Sequence, residues 1–259
     1  MKLLFSFILI SLCLLIWSMF IEPNILIVKH LIIHDEQLKG LKIVFASDFH
    51  VKPHETYRLN KIVRTINEQN PDIVLFGGDY VNGHKKGNSL SIEKIAKKFS
   101  YIVSKYGTYV VIGNHDGWQG KEEIIEALKK NGINVLFNNN ACFKDFCIAG
   151  VDDLQTGNPD IEKALSGVNK PVILLTHTPD IMPNVPYNVN LTLAGHLHGG
   201  QVRLNKALIV PSIYGDKYAN GFLNDNGKKI YTTKGLGTSI LPIRFNCPPE
   251  IAVIEFPLH

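Results

Sequence analysis

Five short apolar runs, each closed by a side chain that can hold a metal, constrain this chain most. Leu41-Lys42-Ile43-Val44-Phe45-Ala46 leads to Asp48-Phe49-His50, and Asp72-Ile73-Val74-Leu75-Phe76 to Gly77-Gly78-Asp79. Thr108-Tyr109-Val110-Val111-Ile112 leads to Gly113-Asn114-His115-Asp116, Pro171-Val172-Ile173-Leu174-Leu175 to Thr176-His177, and Asn190-Leu191-Thr192-Leu193-Ala194 to Gly195-His196-Leu197-His198. Short β-branched and aliphatic runs bounded by glycine and proline read as buried strands. Between the early ones, Leu59, Ile62, Val63 and Ile66 predict a helix over 57–69 stopped by Pro71, and Ile92, Ile95, Ala96, Phe99 and Ile102 a second. A third is expected over 121–131, closed by Gly132, and a short one starting at Asn158-Pro159. Residues 25–33 read as the first strand, and after residue 201 come short strands and turns without a clear helix. Strand-helix alternation followed by strands predicts an α/β (α+β) fold, a two-sheet sandwich flanked by helices.

Leu3 to Ile21 carries no charge, and only Ser6, Ser11 and Ser18 interrupt it with polar side chains. As a helix it spans about 28 Å, close to the roughly 30 Å of a bilayer's hydrocarbon core. A buried soluble helix is rarely apolar on every face. A cleaved signal peptide has a shorter apolar stretch and a small-x-small site, which does not follow here. Residues 1–22 are therefore read as an uncleaved transmembrane anchor and residues 23–259 as one domain, with no linker after the anchor to divide it. Trp17 suits the interfacial end of the span. Lys2 and the amino terminus, against Lys29 beyond the span, lean towards an extracytoplasmic domain.

A net charge of +4 without an arginine-rich or aromatic-basic cluster argues against nucleic acid as a partner. Lys85, Lys86, Lys94, Lys97 and Lys98 read as a solvated face, with weak attraction to anionic lipid as the other option. The cysteines are Cys13, Cys142, Cys147 and Cys247, and no C-x-x-C pair occurs, which argues against a thiolate zinc site. Cys142 and Cys147 can meet across a tight hairpin, but sequence leaves that pairing and the redox compartment open.

Sites in α/β sheets form in the crevice beyond the carboxyl ends of strands. One strand ending in histidine is commonplace in a core; five ending in Asp, Asn or His are hard to assign to packing. Asp48/His50 and His196/His198 each place two donors one residue apart, within reach of one centre. Imidazole mixed with carboxylate and carboxamide suits Mn, Fe or Zn better than Ca. Paired ions in such sites lie about 3.5–4 Å apart, and a bridging carboxylate offsets their repulsion. Asp79 is the candidate bridge. The expected metal residues are Asp48, His50, Asp79, Asn114, His177, His196 and His198, holding two divalent ions with manganese favoured. His30 and His34 read as surface or edge residues and His54, His84 and His259 as exposed, although His54 is near enough to the first pair to line the cleft. Arg203 and Arg244 read as phosphate contacts or surface ion pairs.

Taken in order, the five blocks resemble the signature of the calcineurin-like metallophosphoesterases, over roughly residues 41–201. Gly199-Gly200-Gln201 and the stretch from Gly235-Leu236-Gly237-Thr238 through Arg244 to Pro248-Pro249-Glu250 resemble its membrane-associated bacterial YaeI/YkuE-like branch. The resemblance implies one ion on Asp48, His50 and His198, and the other on Asn114, His177 and His196, with Asp79 between. It implies that His115 assists the leaving oxygen and that Asp116 orients His115. Many relatives carry a second aspartate where this chain has Asn82, so charge around the site can differ. The implied activity is hydrolysis of a phosphodiester or pyrophosphate by water activated between two cations. The anchor favours a lipid-linked substrate, and resemblance allows a UDP-2,3-diacylglucosamine pyrophosphatase-like activity, which would need a cytoplasmic face. A cell-wall polymer or a phosphoprotein are the other substrates considered, and a monomer is expected. The competing reading is a non-catalytic binding module on the same fold; such modules usually show eroded ligand sets, whereas this set is complete.

Overall fold

The computed structural model describes residues 1–208 and 210–258. The apolar runs become two six-stranded sheets. In the first, β1 (Ile27–Ile32) lies parallel to β12 (Glu250–Glu255), which runs antiparallel to β2 (Lys42–Ala46). From β2 the sheet continues in parallel through β3 (Ile73–Phe76), β4 (Thr108–Val110) and β5 (Asn134–Val135). The second sheet has a parallel centre of β7 (Cys147–Gly150), β8 (Val172–Leu175), β9 (Leu191–Ala194) and β11 (Lys228–Thr232). Its edges, β6 (Asn139–Cys142) and β10 (Gly221–Asp225), run antiparallel.

Successive side chains of a strand face opposite ways, so runs without polar interruptions feed two cores. Ile43, Phe45, Ile73 and Leu75 point between the sheets, where they meet Ile148, Ile173, Leu175, Leu191 and Leu193. Their neighbours Val44, Ala46, Val74 and Phe76 point outward and are covered by α2 (Thr56–Glu68), α3 (Ile92–Phe99) and α4 (Asn114–Lys130). The outer face of the second sheet is covered by α5 (Ile161–Ala164) and a 3-10 turn at Pro179–Asn184. The sandwich flanked by helices that the sequence predicts is the observed fold.

Two helix boundaries differ from expectation. The helix expected from Lys121 begins at Asn114 and kinks at Gly120 (φ 125°), because Asp116 accepts from the Gly113 amide and closes a first turn on the motif itself. The helix expected at Asn158 starts at Ile161, capped by Asp160, whose carboxylate accepts from the Lys163 amide. Asn158 is held back instead by Asp152 and Asn138. Cys142 and Cys147 are joined by a disulfide across the β6–β7 hairpin.

The N-terminal helix α1 (Lys2–Ile16) has no buried residue and continues through a π-turn at Trp17–Ile21. The segment Lys2–Asn24 is long and apolar enough to cross a membrane. Only its end is docked: Ser18 accepts from the Arg244 amide at 2.9 Å, and the buried Glu22 carboxylate accepts from the Cys247 amide and the Trp17 indole.

Candidate metal centre

The loops after β2, β3, β4, β8 and β9 meet at one end of both sheets, and their seven candidate donors are all buried. Five of them, Asp48, His50, Asp79, His196 and His198, have positive φ between 40° and 71°. Non-glycine residues held there cost about 1–3 kcal/mol each and gather at functional sites. Neighbouring loops hold these bends: the Asp48 amide donates to Gly78, the His50 amide to Asp79, and the His196 amide to the Asp48 carboxylate at 2.9 Å, tying one sheet to the other. A Cβ on Gly78 (φ 94°) would lie 2.5 Å from the Gly113 nitrogen, and one on Gly195 2.0 Å from the Ser47 hydroxyl. Gly78 therefore lets two ligand-bearing loops approach backbone to backbone, and Gly195 makes room for the Ser47 and Asp48 side chains.

The donors form two nests sharing one carboxylate. In the first, His198 Nε2 lies 3.1 Å from His50 Nε2 and 3.5 Å from Asp48 Oδ1. In the second, His177 Nε2 lies 2.8 Å from Asn114 Oδ1 and 3.2 Å from His196 Nδ1. Asp79 Oδ2 stands between them, 3.4 Å from His50 Nε2 and 3.4 Å from His177 Nε2. Its other oxygen accepts from the His115 amide at 2.9 Å.

Such a set fits cations. His177 Nδ1 lies 2.6 Å from the Gly77 carbonyl, which can only accept, so Nδ1 carries a proton and Nε2 faces two acceptor oxygens, a place for a cation or for the ring's second proton. Burial lowers His50 to about 3 and His196 to about 4, and pushes His198 well down, leaving neutral rings with free lone pairs. Among the described residues the Nδ1 atoms of His50 and His198 have no hydrogen-bond partner, so the contacts that bear on their tautomers are those of Nε2 inside the nest. Burial also raises Asp48 to about 7, with the Asp79 charge adding to it. For His177, burial opposes a charged ring, but the Asp79 carboxylate beside it prevails and holds the pKa up to about 10. Where no other cation sits, a proton neutralises this corner.

His115 is nearly buried, with Nδ1 3.0 Å from the Gly83 carbonyl and Nε2 turned towards a cleft of about 410 Å³ that it shares with Asp79, His196 and His198. Asp116 does not touch the His115 ring. Its oxygens accept the backbone amides of Asp79, Tyr80, Val81 and Gly113 at 2.8–3.2 Å, so it fixes the loop that presents Asp79 rather than orienting the histidine. Asn82 donates to the Asn88 carbonyl and its own carbonyl accepts from Gln119, which makes it a loop brace.

Other expectations divide. Arg244 is not part of a surface ion pair: it is fully buried and donates to carbonyls of Lys234, Gly235, Gly237 and Cys247, holding the G-L-G-T stretch in place. Arg203 pairs with Asp216 at 3.3 Å. His30, His34, His54 and His84 are exposed. His54 is outside the cleft wall, whereas His84 stacks on Trp118 at 4.3 Å and lines it. His259 lies outside the described residues. The sequence reading missed Gln155, whose amide is 3.0 Å from His196 Nε2 and so bears on which ring nitrogen holds the proton. The signal was present: Val151-Asp152-Asp153 follows β7 as the other polar endings follow their strands, and buried Asp153 anchors the Gln155 and Thr156 amides.

A two-sheet sandwich with paired histidine and carboxylate nests beyond its strand ends has the architecture of a metallophosphoesterase. Residues 41–200 match the calcineurin-like phosphoesterases, and the chain belongs to that family. It is similar to the metallophosphoesterase YkuE of Bacillus subtilis (strain 168), 34% identical over 83% of this chain and 78% of the relative. It is equally similar, at 34% over 83% of this chain and 81% of the relative, to the phosphodiesterase YaeI of Escherichia coli (strain K12). A Danio rerio transmembrane protein with a metallophosphoesterase domain is 30% identical over 85% of this chain, which spans 54% of that relative's length.

Proposed function

We propose that this protein hydrolyses a phosphodiester or pyrophosphate bond of a membrane-linked substrate in the cleft above the two nests. The observation that carries it is Asp79 Oδ2 standing 3.4 Å from an imidazole of each nest. Asp48, His50 and His198 would hold one divalent ion, Asn114, His177 and His196 the other, and Asp79 would bridge. Manganese is favoured over iron and zinc. Such ions supply positive charge for the phosphate oxygens and lower the pKa of bound water. The chain's own part is positional and protonic. Asp116 holds the Asp79 loop, and the Gly83 carbonyl keeps a proton on His115 Nδ1. A protonated His115 then offers Nε2–H to the departing oxygen.

The purified protein is expected to bind two equivalents of manganese by elemental analysis and to hydrolyse an aryl phosphodiester. Activity should fall to background with a chelator and return with manganese. Turnover that survives complete stripping would refute the metal-dependent reading.

We place the anchor at residues 1–22 and the catalytic domain at residues 23–259, on the extracytoplasmic side. The Cys142–Cys147 disulfide supports that side, because disulfides persist in oxidising compartments. Protease added to intact cells should then digest the domain; full protection, with digestion only after lysis, would put it in the cytoplasm.

A further inference from the structure

Leu208, Ile240 and Leu241 line the cleft and yet are 61%, 93% and 51% exposed. Leu204, at 66%, lies four residues before Leu208, whose amide folds back onto the Val202 carbonyl at 3.1 Å. Single exposed aliphatics are ordinary, but a group of them around one opening marks an interaction surface. Ile240 is the telling residue. It is β-branched, almost fully exposed and held at φ 62°, a conformation such residues rarely adopt. The bend is fastened by Gln201, whose side chain donates to the Ser239 carbonyl at 2.9 Å and accepts from the Ser239 amide at 2.8 Å. The chain therefore braces a strained turn whose tip offers an aliphatic side chain to the outside.

The root of α1 identifies the occupant. Ser18 is hydrogen-bonded to Arg244, four residues after Ile240, and four residues span at most about 14 Å. Residues 201–203 join the same segment: the Phe245 amide donates to Gln201 and the Arg203 amide to Phe245, both at 2.9 Å. Both apolar loops thus lie beside the point where α1 ends, next to Trp17, a residue suited to the membrane interface. Lys206, exposed between Leu204 and Leu208, suits anionic headgroups.

We propose that the tips at Leu204, Leu208 and Ile240–Leu241 insert into the leaflet that α1 leaves, turning the cleft mouth to the lipid surface. A phosphoester carried on an acyl-chain lipid then enters sideways from the bilayer. This rests on α1 being a membrane anchor, and the test separates the two. The full chain carrying Cys13→Ser, with Ile240→Cys labelled by a polarity-sensitive fluorophore, is reconstituted into phosphatidylcholine–phosphatidylglycerol vesicles. Asn226→Cys, on the exposed β10–β11 turn, serves as the control, and Cys247 is buried. The expected result is a blue shift at position 240 with quenching by acyl-chain nitroxide lipid, and neither at position 226. A chain that floats with the vesicles and resists carbonate extraction while the position 240 label reports water would overturn insertion and leave the anchor standing. A chain that stays in the soluble fraction would overturn both.

Discussion

Asp79→Asn is expected to abolish activity and metal binding together while the protein stays folded. Asparagine can keep the hydrogen bond from the His115 amide, which Asp79 Oδ1 now accepts at 2.9 Å. It cannot keep the negative charge facing His50 and His177, and a carboxamide NH2 turned there would point a donor at two positions meant for cations. The loss of turnover should exceed the roughly 10²–10⁴-fold that removing one acid–base group costs. Elemental analysis should find both ions depleted, while thermal unfolding stays cooperative. Asp79→Ala should do the same and also destabilise by about 1–3 kcal/mol, because the buried His115 amide is left unpaired. Retention of two ions and of turnover in Asp79→Asn would show that the carboxylate does not bridge.

His115→Ala should separate chemistry from metal binding. The ring approaches the cleft through Nε2, and its nearest polar neighbour there is the Ser239 hydroxyl at 3.4 Å. Removing it leaves the two nests intact, so metal content is expected to be unchanged. Turnover should fall by about 10²–10⁴-fold on an alkyl phosphodiester, where the departing oxygen needs a proton. On an aryl diester with an acidic phenol the loss should be small. Equal losses on both substrates would mean that His115 positions the phosphate and donates no proton. Asp116→Ala makes the contrast: four buried amides lose their acceptor, so a stability loss on the order of 4 kcal/mol is expected. That loss should appear as a lower melting temperature, by about 10 °C for a domain of this size.

Much of the fold was legible because strands buried on both faces leave an unambiguous record. Runs such as Ile73–Phe76 tolerate no polar residue, since one face looks at the opposing sheet and the other at helices. Helix boundaries were less legible where one side chain bonding a nearby backbone amide decides them. The start lies at Asn114 rather than Lys121 because the Asp116 carboxylate already closes a turn at Gly113. Gln155 was missed because a loop held by Asp153, two residues before it, carries it to His196, 41 residues further along the chain.

The sequence by itself determined which residue types end each strand, that strands and helices alternate, and that an apolar segment precedes them. These follow from local chemistry: periodicity, glycine bends and donor atoms are written along the chain. Only the tertiary structure decided that Asp116 serves the Asp79 loop, that Arg244 is buried among carbonyls, and that the end of α1 is fastened beside the strained Ile240 tip. The Asp116 and α1 pairings join segments tens to hundreds of residues apart and those of Arg244 fold a loop within ten residues; all are settled by which buried amides and carbonyls find partners once the two sheets close on each other.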